Sequence, residues 1–540
     1  MQYRSTRGQV KGYSFEEAVM AGLSPDGGLF IPYHIPKLPA DWKQKWSKLS
    51  FQELAVEILS LYIDESEIPR SDLQNLVEKS YSTFRHDQVT PLAKIRDGVY
   101  ILELFHGPTF AFKDVALQFV GNLFEYFLER RNRNETTGKV HRLTVVGATS
   151  GDTGSAAIYG LRNKKNVSVF ILHPRGRVSP IQEAQMTTVL DKNVHNLAVE
   201  GTFDDCQDMV KNLFGNKEFN DRHHLGAVNS INWARILAQT VYYFQAYFSL
   251  LRSLNVDPTQ EEASNLRFNF SVPTGNFGDI LAGYYAYRMG LPVEKLIVAT
   301  NENDILYRFF ESNAYEKQAG ADGNVKETLS PAMDILVSSN FERLLWYLAR
   351  DSEQDGGQYE VATQDSEVNE KLCDDAGKVV ADWMQQLKEK GSFKVSNDVV
   401  LNARKVFDSA MVTDKETLET IHAYFEPSDP QQQVPYVLDP HTAVGVAAAD
   451  RLSKRHKLIS YPQGEEIMIC LATAHPAKFS EAVETALKSV PNFDFQKDVL
   501  PKEFIGLLDK ERSVVPVERA DPQLIMDVIE RELKAEGIAF

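Results

Sequence analysis

From Val99 onward the chain alternates short apolar runs with longer helical ones, and several of the apolar runs end in glycine-rich turns. The runs VYILELF, RLTVVGA, NVSVFILH, FNFSVP, KLIVAT and EIMICLAT have strand length, whereas KDVALQFVGNLFEYFLER has helical spacing. A helix between two strands lets the second strand lie parallel to the first, with the helix covering one face of the sheet. The alternation therefore predicts an α/β protein built on a mostly parallel sheet.

Before that region, residues 14–97 read as helices, with SFEEAVMAGL, a turn at SPDGGLF, then LSFQELAVEILSLYI and SDLQNLVEKSYSTF. They predict an amino-terminal helical unit over residues 1–98. The stretch 351–398 is polar and acidic and reads as a helical insertion with a loop. No internal repeat or long low-complexity tract interrupts the pattern.

A chain of 540 residues can hold about three domains. Its 75 acidic against 58 basic residues give a formal charge of −17, which repels nucleic acid and anionic membranes in the absence of a local basic run. Cys206, Cys373 and Cys470 are too widely spaced to suggest a disulfide framework or a metal site, so a reducing cytoplasm is the expected compartment. The start carries Arg4, Arg7 and Lys11, but Glu16 and Glu17 follow early and open a helix, which favours a folded start over a transit peptide. No stretch reaches the roughly 18 apolar residues of a membrane span.

Four segments carry chemistry. In HGPTFAFKDVALQF, Lys113 stands where a loop gives way to a helix. A helix start disfavours a cation, and Phe110 and Phe112 can desolvate the amine; both effects favour a neutral, nucleophilic lysine able to form a Schiff base, the alternative being a solvated surface lysine. In VVGATSGDTGSAA, a strand runs into Thr149, Ser150, Gly151, Asp152 and Thr153, a turn that either binds a carboxylate through hydroxyls and amides or merely caps the next helix. In FSVPTGNFGDILAG, Gly275, Asn276, Phe277, Gly278 and Asp279 form a second such turn, suited to a phosphate yet unlike the common nucleotide-binding motifs. In LATAHPAKF, Thr473 ends a buried strand, where it either faces a ligand or caps a turn. His441 and His475 are acid/base candidates or packed residues.

Taken together and in order, these segments resemble the threonine synthase family of fold-type II pyridoxal-phosphate enzymes. The resemblance begins at YRSTRG, runs through LSPDGGLFIP, HGPTFAFKD, GATSGDTGSAA, HPRGRVSPIQEAQM, NSINWARI, VPTGNFGDILAGYYA, ATNENDIL, SPAMDI and DPHTAVG, and ends in LATAHPAKF. It implies a tryptophan synthase beta-like fold. A large domain would take residues 99–140 and 226–480 and a small one 141–225, with residues 481–540 packing on the core. The early YRSTRG implies the extension-free fungal and bacterial branch, without the activator-sensing extension or plastid address of the plant enzymes.

By matching motif, the resemblance makes Lys113 the Schiff-base lysine of pyridoxal 5'-phosphate, residues 275–279 the cup for its phosphate, and Thr473 the partner of its ring nitrogen. Thr149, Ser150, Gly151, Asp152 and Thr153 would hold the substrate carboxylate, and Asn229, Ser230 and Arg235 the substrate phosphate. Many fold-type II enzymes have Asn where this chain has Asp152; a carboxylate beside the cofactor phenolate requires that Asp152 either be protonated or turn away. The implied activity is that of a carbon–oxygen lyase converting O-phospho-L-homoserine and water into L-threonine and phosphate, in a monomer or weak homo-oligomer that binds neither nucleic acid nor membrane. The rival readings are a serine or threonine dehydratase, which needs no second phosphate site, and a metabolite-binding protein without activity, which would tolerate loss of Lys113.

Overall fold

The computed structural model describes residues 1–318, 325–352, 366–458 and 466–538. Two sheets organise it. The larger has six strands in the order Phe407–Met411, Val293–Thr300, Arg267–Pro273, Glu466–Ala472, Val99–Glu103 and Leu92–Arg96, parallel except for the last pair. The smaller has five parallel strands in the order Val515–Val517, Val194–Val199, Val167–Pro174, Leu143–Ala148 and Leu225–Ala227. All eight residues of Val167–Pro174 are buried, as expected of a strand covered on both faces.

The helical reading of residues 14–97 agrees with Phe15–Ala21, Trp42–Trp46, Phe51–Ser60 and Arg70–Tyr81. Capping boxes at Ser14 and Ser50 fix two of the starts by satisfying amides that the helix leaves free. The reading fails at Leu92–Arg96, which is the antiparallel edge strand of the larger sheet. The Asp97-Gly98 pair, with Gly98 at φ +72°, turns this strand back onto Val99–Glu103, and five residues are too few to sustain a helix alone. Two further short strands, Tyr3–Ser5 and Phe30–Pro32, pair antiparallel at the amino terminus.

The expected boundary between residues 225 and 226 falls inside the strand Leu225–Ala227, whose three residues are too short to carry a readable pattern. From the carboxyl-terminal segment, Val515–Val517 supplies the opposite edge of the smaller sheet. Within 351–398, the helix Ser366–Lys390 is followed by a short strand, Ser392–Lys394, paired with Ala314–Glu316. Residues 353–365 of this stretch lie outside the described residues.

Three helices position the cleft. Lys113–Asn134 is buried through most of its first sixteen residues and packs on Asp152–Leu161 at very short range: a Cβ on Gly121 would overlap the Gly160 carbonyl, and one on Gly160 would lie 2.5 Å from the Leu117 carbonyl oxygen. Glycine is required at both positions for this approach. Trp233–Leu254 is apolar nearly all round and runs through the core. Among the described residues no helix is long and apolar enough to cross a membrane.

Candidate active site

The strands Val99–Glu103, Arg267–Pro273 and Glu466–Ala472 of the larger sheet and Leu143–Ala148 of the smaller one all direct their carboxyl ends toward one cleft of about 1380 Å³. Parallel α/β sheets gather ligands at this end because the strand-to-helix turns expose free amides there. Of the fifteen residues to which the resemblance gives a role, every one except Gly151 lines the cleft; His441 lines it too, whereas His475 does not.

Lys113 is the first residue of its helix and is buried. The preceding loop is held in place at two points. The Phe112 amide donates to the Thr473 carbonyl at 2.8 Å, and Asp114 accepts from the Thr109 amide at 2.8 Å and the Thr109 hydroxyl at 2.7 Å. Phe110 sits at φ +60°, a conformation costing about 1–3 kcal/mol for a residue with a Cβ, with the Arg85 guanidinium 3.8 Å from its ring centre. Burial pushes the Lys113 amine down to about 8; Asp152 pulls against this, while Lys478 and Arg235 reinforce it. A neutral amine is therefore accessible near physiological pH.

The turn 275–279 opens the helix Gly278–Met289, with Phe277 in the left-handed region at φ +63°. The Leu281 amide donates to the Phe277 carbonyl, and the amides of Gly278, Asp279 and Ile280 stand ahead of this bond, as at any helix start. The loop is fastened from behind: the Ser338 hydroxyl donates to the Gly275 carbonyl at 2.6 Å, and the Asn340 amide and side chain donate to the Asn276 carbonyl at 3.0 and 2.9 Å. A Cβ on Gly275 would come 2.9 Å from the Ala332 carbonyl oxygen, so glycine lets the turn approach this backbone. The Asp279 carboxylate would repel an anion if it faced the cup. Its Oδ1 instead accepts from the Tyr242 and Tyr243 hydroxyls at 2.5 and 3.0 Å, and burial raises it to about 7 against those hydrogen bonds. The cup expected at 275–279 is one of backbone amides, and the Asp279 carboxyl is engaged by the two tyrosines instead.

In the turn 149–153 the Thr149 hydroxyl accepts from the Gly151 amide at 3.0 Å and the Gly154 amide at 2.9 Å. The Gly151 amide is thus engaged within the turn, and a Cβ at this position would meet Gln182. Ser150 is exposed and Thr153 half-buried at the cleft wall. Asp152 is paired with cations. Its Oδ1 lies 2.5 Å from Lys478 Nζ and accepts from Gln182 Nε2 at 2.8 Å, while its Oδ2 lies 3.9 Å from Lys113 Nζ. Burial opposes ionisation, yet the charges of Lys478 and Lys113 hold this carboxyl well below the usual range.

Arg235 is buried in the first turn of Trp233–Leu254, and its Nε and Nη1 have no hydrogen-bond partner among the described residues. Burial lowers its guanidinium to about 10. Ser230 and Ser339 hydroxyls lie 3.1 Å apart, and Asn229 Oδ1 accepts from the Ile231 amide at 3.2 Å. A buried guanidinium without a carboxylate is costly unless an anion completes it. The histidines are structural. His475 Nδ1 accepts from the Ala477 amide, and burial drives the ring down to about 4. The two ring nitrogens of His441 are taken up by Asp439 and the Ala332 amide.

Comparison with known proteins places this geometry. A family model described as threonine synthase N terminus matches residues 2–81, one described as pyridoxal-phosphate dependent enzyme matches 83–368, and one described as threonine synthase, C-terminal, matches 442–529. The threonine synthase of Saccharomyces cerevisiae is 54% identical, with 98% of each chain covered. The chain belongs to the threonine synthase family. The crystal structure of threonine synthase from yeast superimposes with a TM-score of 0.88 at 53% identity, covering 99% of each chain. The structure of PLP-bound threonine synthase from Brucella melitensis does so with 0.82 at 40%, covering 98% of this chain and 99% of that one.

For a member of the threonine synthase family, two residues about the cleft escape sequence reasoning: Gln182 on its wall, and Lys478 buried against Asp152. Lys478 lies in the LATAHPAKF segment but was not singled out, and Gln182 lies in HPRGRVSPIQEAQM. Nothing local marks either one: a lysine in a short 3-10 turn and a glutamine in a helix are ordinarily solvent-facing. An Asp at position 152 on a cleft wall was the one available sign that a buried cation must exist somewhere.

Proposed function

We propose that this chain converts O-phospho-L-homoserine and water into L-threonine and phosphate, in the cytoplasm, with pyridoxal phosphate bound covalently to Lys113. The observation that carries this reading is that one cleft holds a buried amine and two groups suited to anions. The free amides of the 275–279 turn and the incompletely partnered guanidinium of Arg235 both line it. One suits the cofactor phosphate and the other a second phosphate on the substrate, which a dehydratase does not need.

The residues present fit the cofactor. The turn would take its phosphate, Lys113 its aldehyde carbon, and the Thr473 hydroxyl its ring nitrogen. When bound, the cofactor supplies an electron-withdrawing ring that acidifies the substrate Cα–H bond. Lys113, neutral near its lowered range, is the group that takes the proton from Cα and returns it there. Thr149, Thr153 and Ser150 offer hydroxyls to the substrate carboxylate. Arg235, with Asn229 and Ser230, holds the γ-phosphate by charge-assisted hydrogen bonds and keeps it when the Cγ–O bond breaks. Cβ gives up a proton as the Cγ–O bond breaks, Cγ takes one up to become the methyl group, and water then adds its hydroxyl at Cβ. The free, buried thiols of Cys206, Cys373 and Cys470 suit a reducing compartment.

The test supplies purified protein with phosphohomoserine and measures inorganic phosphate together with amino-acid products. Equal amounts of phosphate and threonine are expected. Phosphate accompanied by a 2-oxo acid in place of threonine would return the reading to a lyase of another product.

A further inference from the structure

Lys478 has a side chain with no exposed surface, and its Nζ makes two contacts: Asp152 Oδ1 at 2.5 Å and the Thr109 carbonyl at 2.9 Å. Burying an ammonium is too costly to be incidental, and here it joins three separate pieces of the site. Asp152 begins the helix of the carboxylate turn, Thr109 anchors Asp114 beside Lys113, and Lys478 itself follows Thr473 by five residues. Asp152 is therefore engaged unequally. It is in direct contact with Lys478, while its other oxygen stands 3.9 Å from Lys113.

We propose that Lys478 is a positioning residue that claims the charge of Asp152, so that Lys113 faces a neutralised pair and presents an uncharged amine to the cofactor aldehyde. This rests on the reading of Lys113 as the cofactor lysine. The charged groups facing Lys113 are Asp152 from one helix start, Lys478 from the turn after the central strand, Arg235 from the core helix, and Asp114 on its own helix. Asp152 alone among the first three attracts a proton to Lys113. With Lys478 present its field is largely cancelled; without Lys478, removing the proton from Lys113 would strand a buried carboxylate with no partner cation. The ammonium form of Lys113 would then persist to higher pH.

The experiment uses the full chain stripped of cofactor and re-supplied with pyridoxal phosphate. The neutral amine adds to the aldehyde carbon, water leaves, and borohydride then reduces the carbon–nitrogen double bond so that the labelled residue can be mapped. Capture rate against pH should rise through a midpoint near 8 in the wild-type chain, where the Lys113 amine loses its proton. Lys478→Met should move that midpoint up by about one pH unit or more, the effect of an uncancelled opposite charge within a few ångströms. Lys478→Met combined with Asp152→Asn should bring it back toward wild type, because both charges are gone. An unmoved midpoint in Lys478→Met, with the label on Lys113, overturns the role of Lys478 alone. A shift that persists in the double variant traces to lost packing and overturns it as well. If Lys478→Met does not fold, a double variant that folds and titrates like wild type supports the proposal. A wild-type label on another lysine overturns the reading of Lys113 itself, and this proposal with it.

Discussion

The backbone amide of Phe112 donates to the carbonyl of Thr473 at 2.8 Å, so the residue before Lys113 is fastened to the end of the central strand Glu466–Ala472. A bridge between Ala111 and Ala474 continues the same contact. The amine that would hold the cofactor and the hydroxyl that would meet its ring nitrogen thus sit on one backbone junction. The relative position of their backbones is set by main-chain hydrogen bonds.

This junction allows Thr473 to be changed without moving Lys113. A carboxylate opposite the ring nitrogen would favour the protonated ring and a stronger electron sink at Cα. Thr473→Asp is therefore expected to raise transamination and other side reactions relative to threonine formation. Product partitioning, with cofactor occupancy measured in the same samples, checks it; unaltered fidelity at full occupancy would make Thr473 a strand-end cap.

Arg235 is expected to trade stability for recognition. Replacing it by Met removes a buried cation without a complete set of partners, and the substrate-free protein should gain about 1–3 kcal/mol in denaturant unfolding. The same variant should lose roughly 10²-fold in kcat/KM for phosphohomoserine, as for a lost charge-assisted contact of about 3 kcal/mol, with cofactor binding unchanged. A variant that is destabilised and fully active would contradict both halves.

Asp279 makes stability depend on pH in a defined direction. Burial raises its folded-state value from 3.8 to about 7, so between those limits the folded chain binds the proton more tightly than the unfolded one. Its contribution therefore falls as pH rises from about 4 to about 7, by at most about 4 kcal/mol. Asp279→Asn should match wild type near pH 4 and exceed it at pH 8. Urea midpoints at the two pH values decide the sign.

Gly121 and Gly160 set the distance between the helix of Lys113 and the helix of Asp152. Alanine at 121 would gain up to about 1 kcal/mol in helix propensity but place its Cβ on the Gly160 carbonyl. Overpacking against backbone costs about 3 kcal/mol, so the clash wins and Gly121→Ala should unfold at markedly lower temperature. A neutral or stabilising effect in calorimetry would show that the two helices can separate freely.

What the sequence by itself determined is local. Strand-length apolar runs, helical spacing and glycine-rich turns at strand ends are properties of consecutive residues, and they marked the parallel α/β design, Lys113 and the 275–279 turn. Short elements escaped because three to five residues carry too little periodicity: Leu92–Arg96, Leu225–Ala227 and Val515–Val517 became strands only because a neighbouring strand offered them hydrogen bonds. Only the tertiary structure decided the electrostatics of the site. Whether Asp152 is ionised, whether the Asp279 carboxyl faces an anion or two tyrosines, and whether Arg235 stays incompletely partnered all depend on groups distant in sequence. Lys478 lies 326 positions from Asp152 in the chain and 2.5 Å from it in space. Burial removes the water that would otherwise screen such charges, so the fold, by choosing which of them meet, sets their protonation.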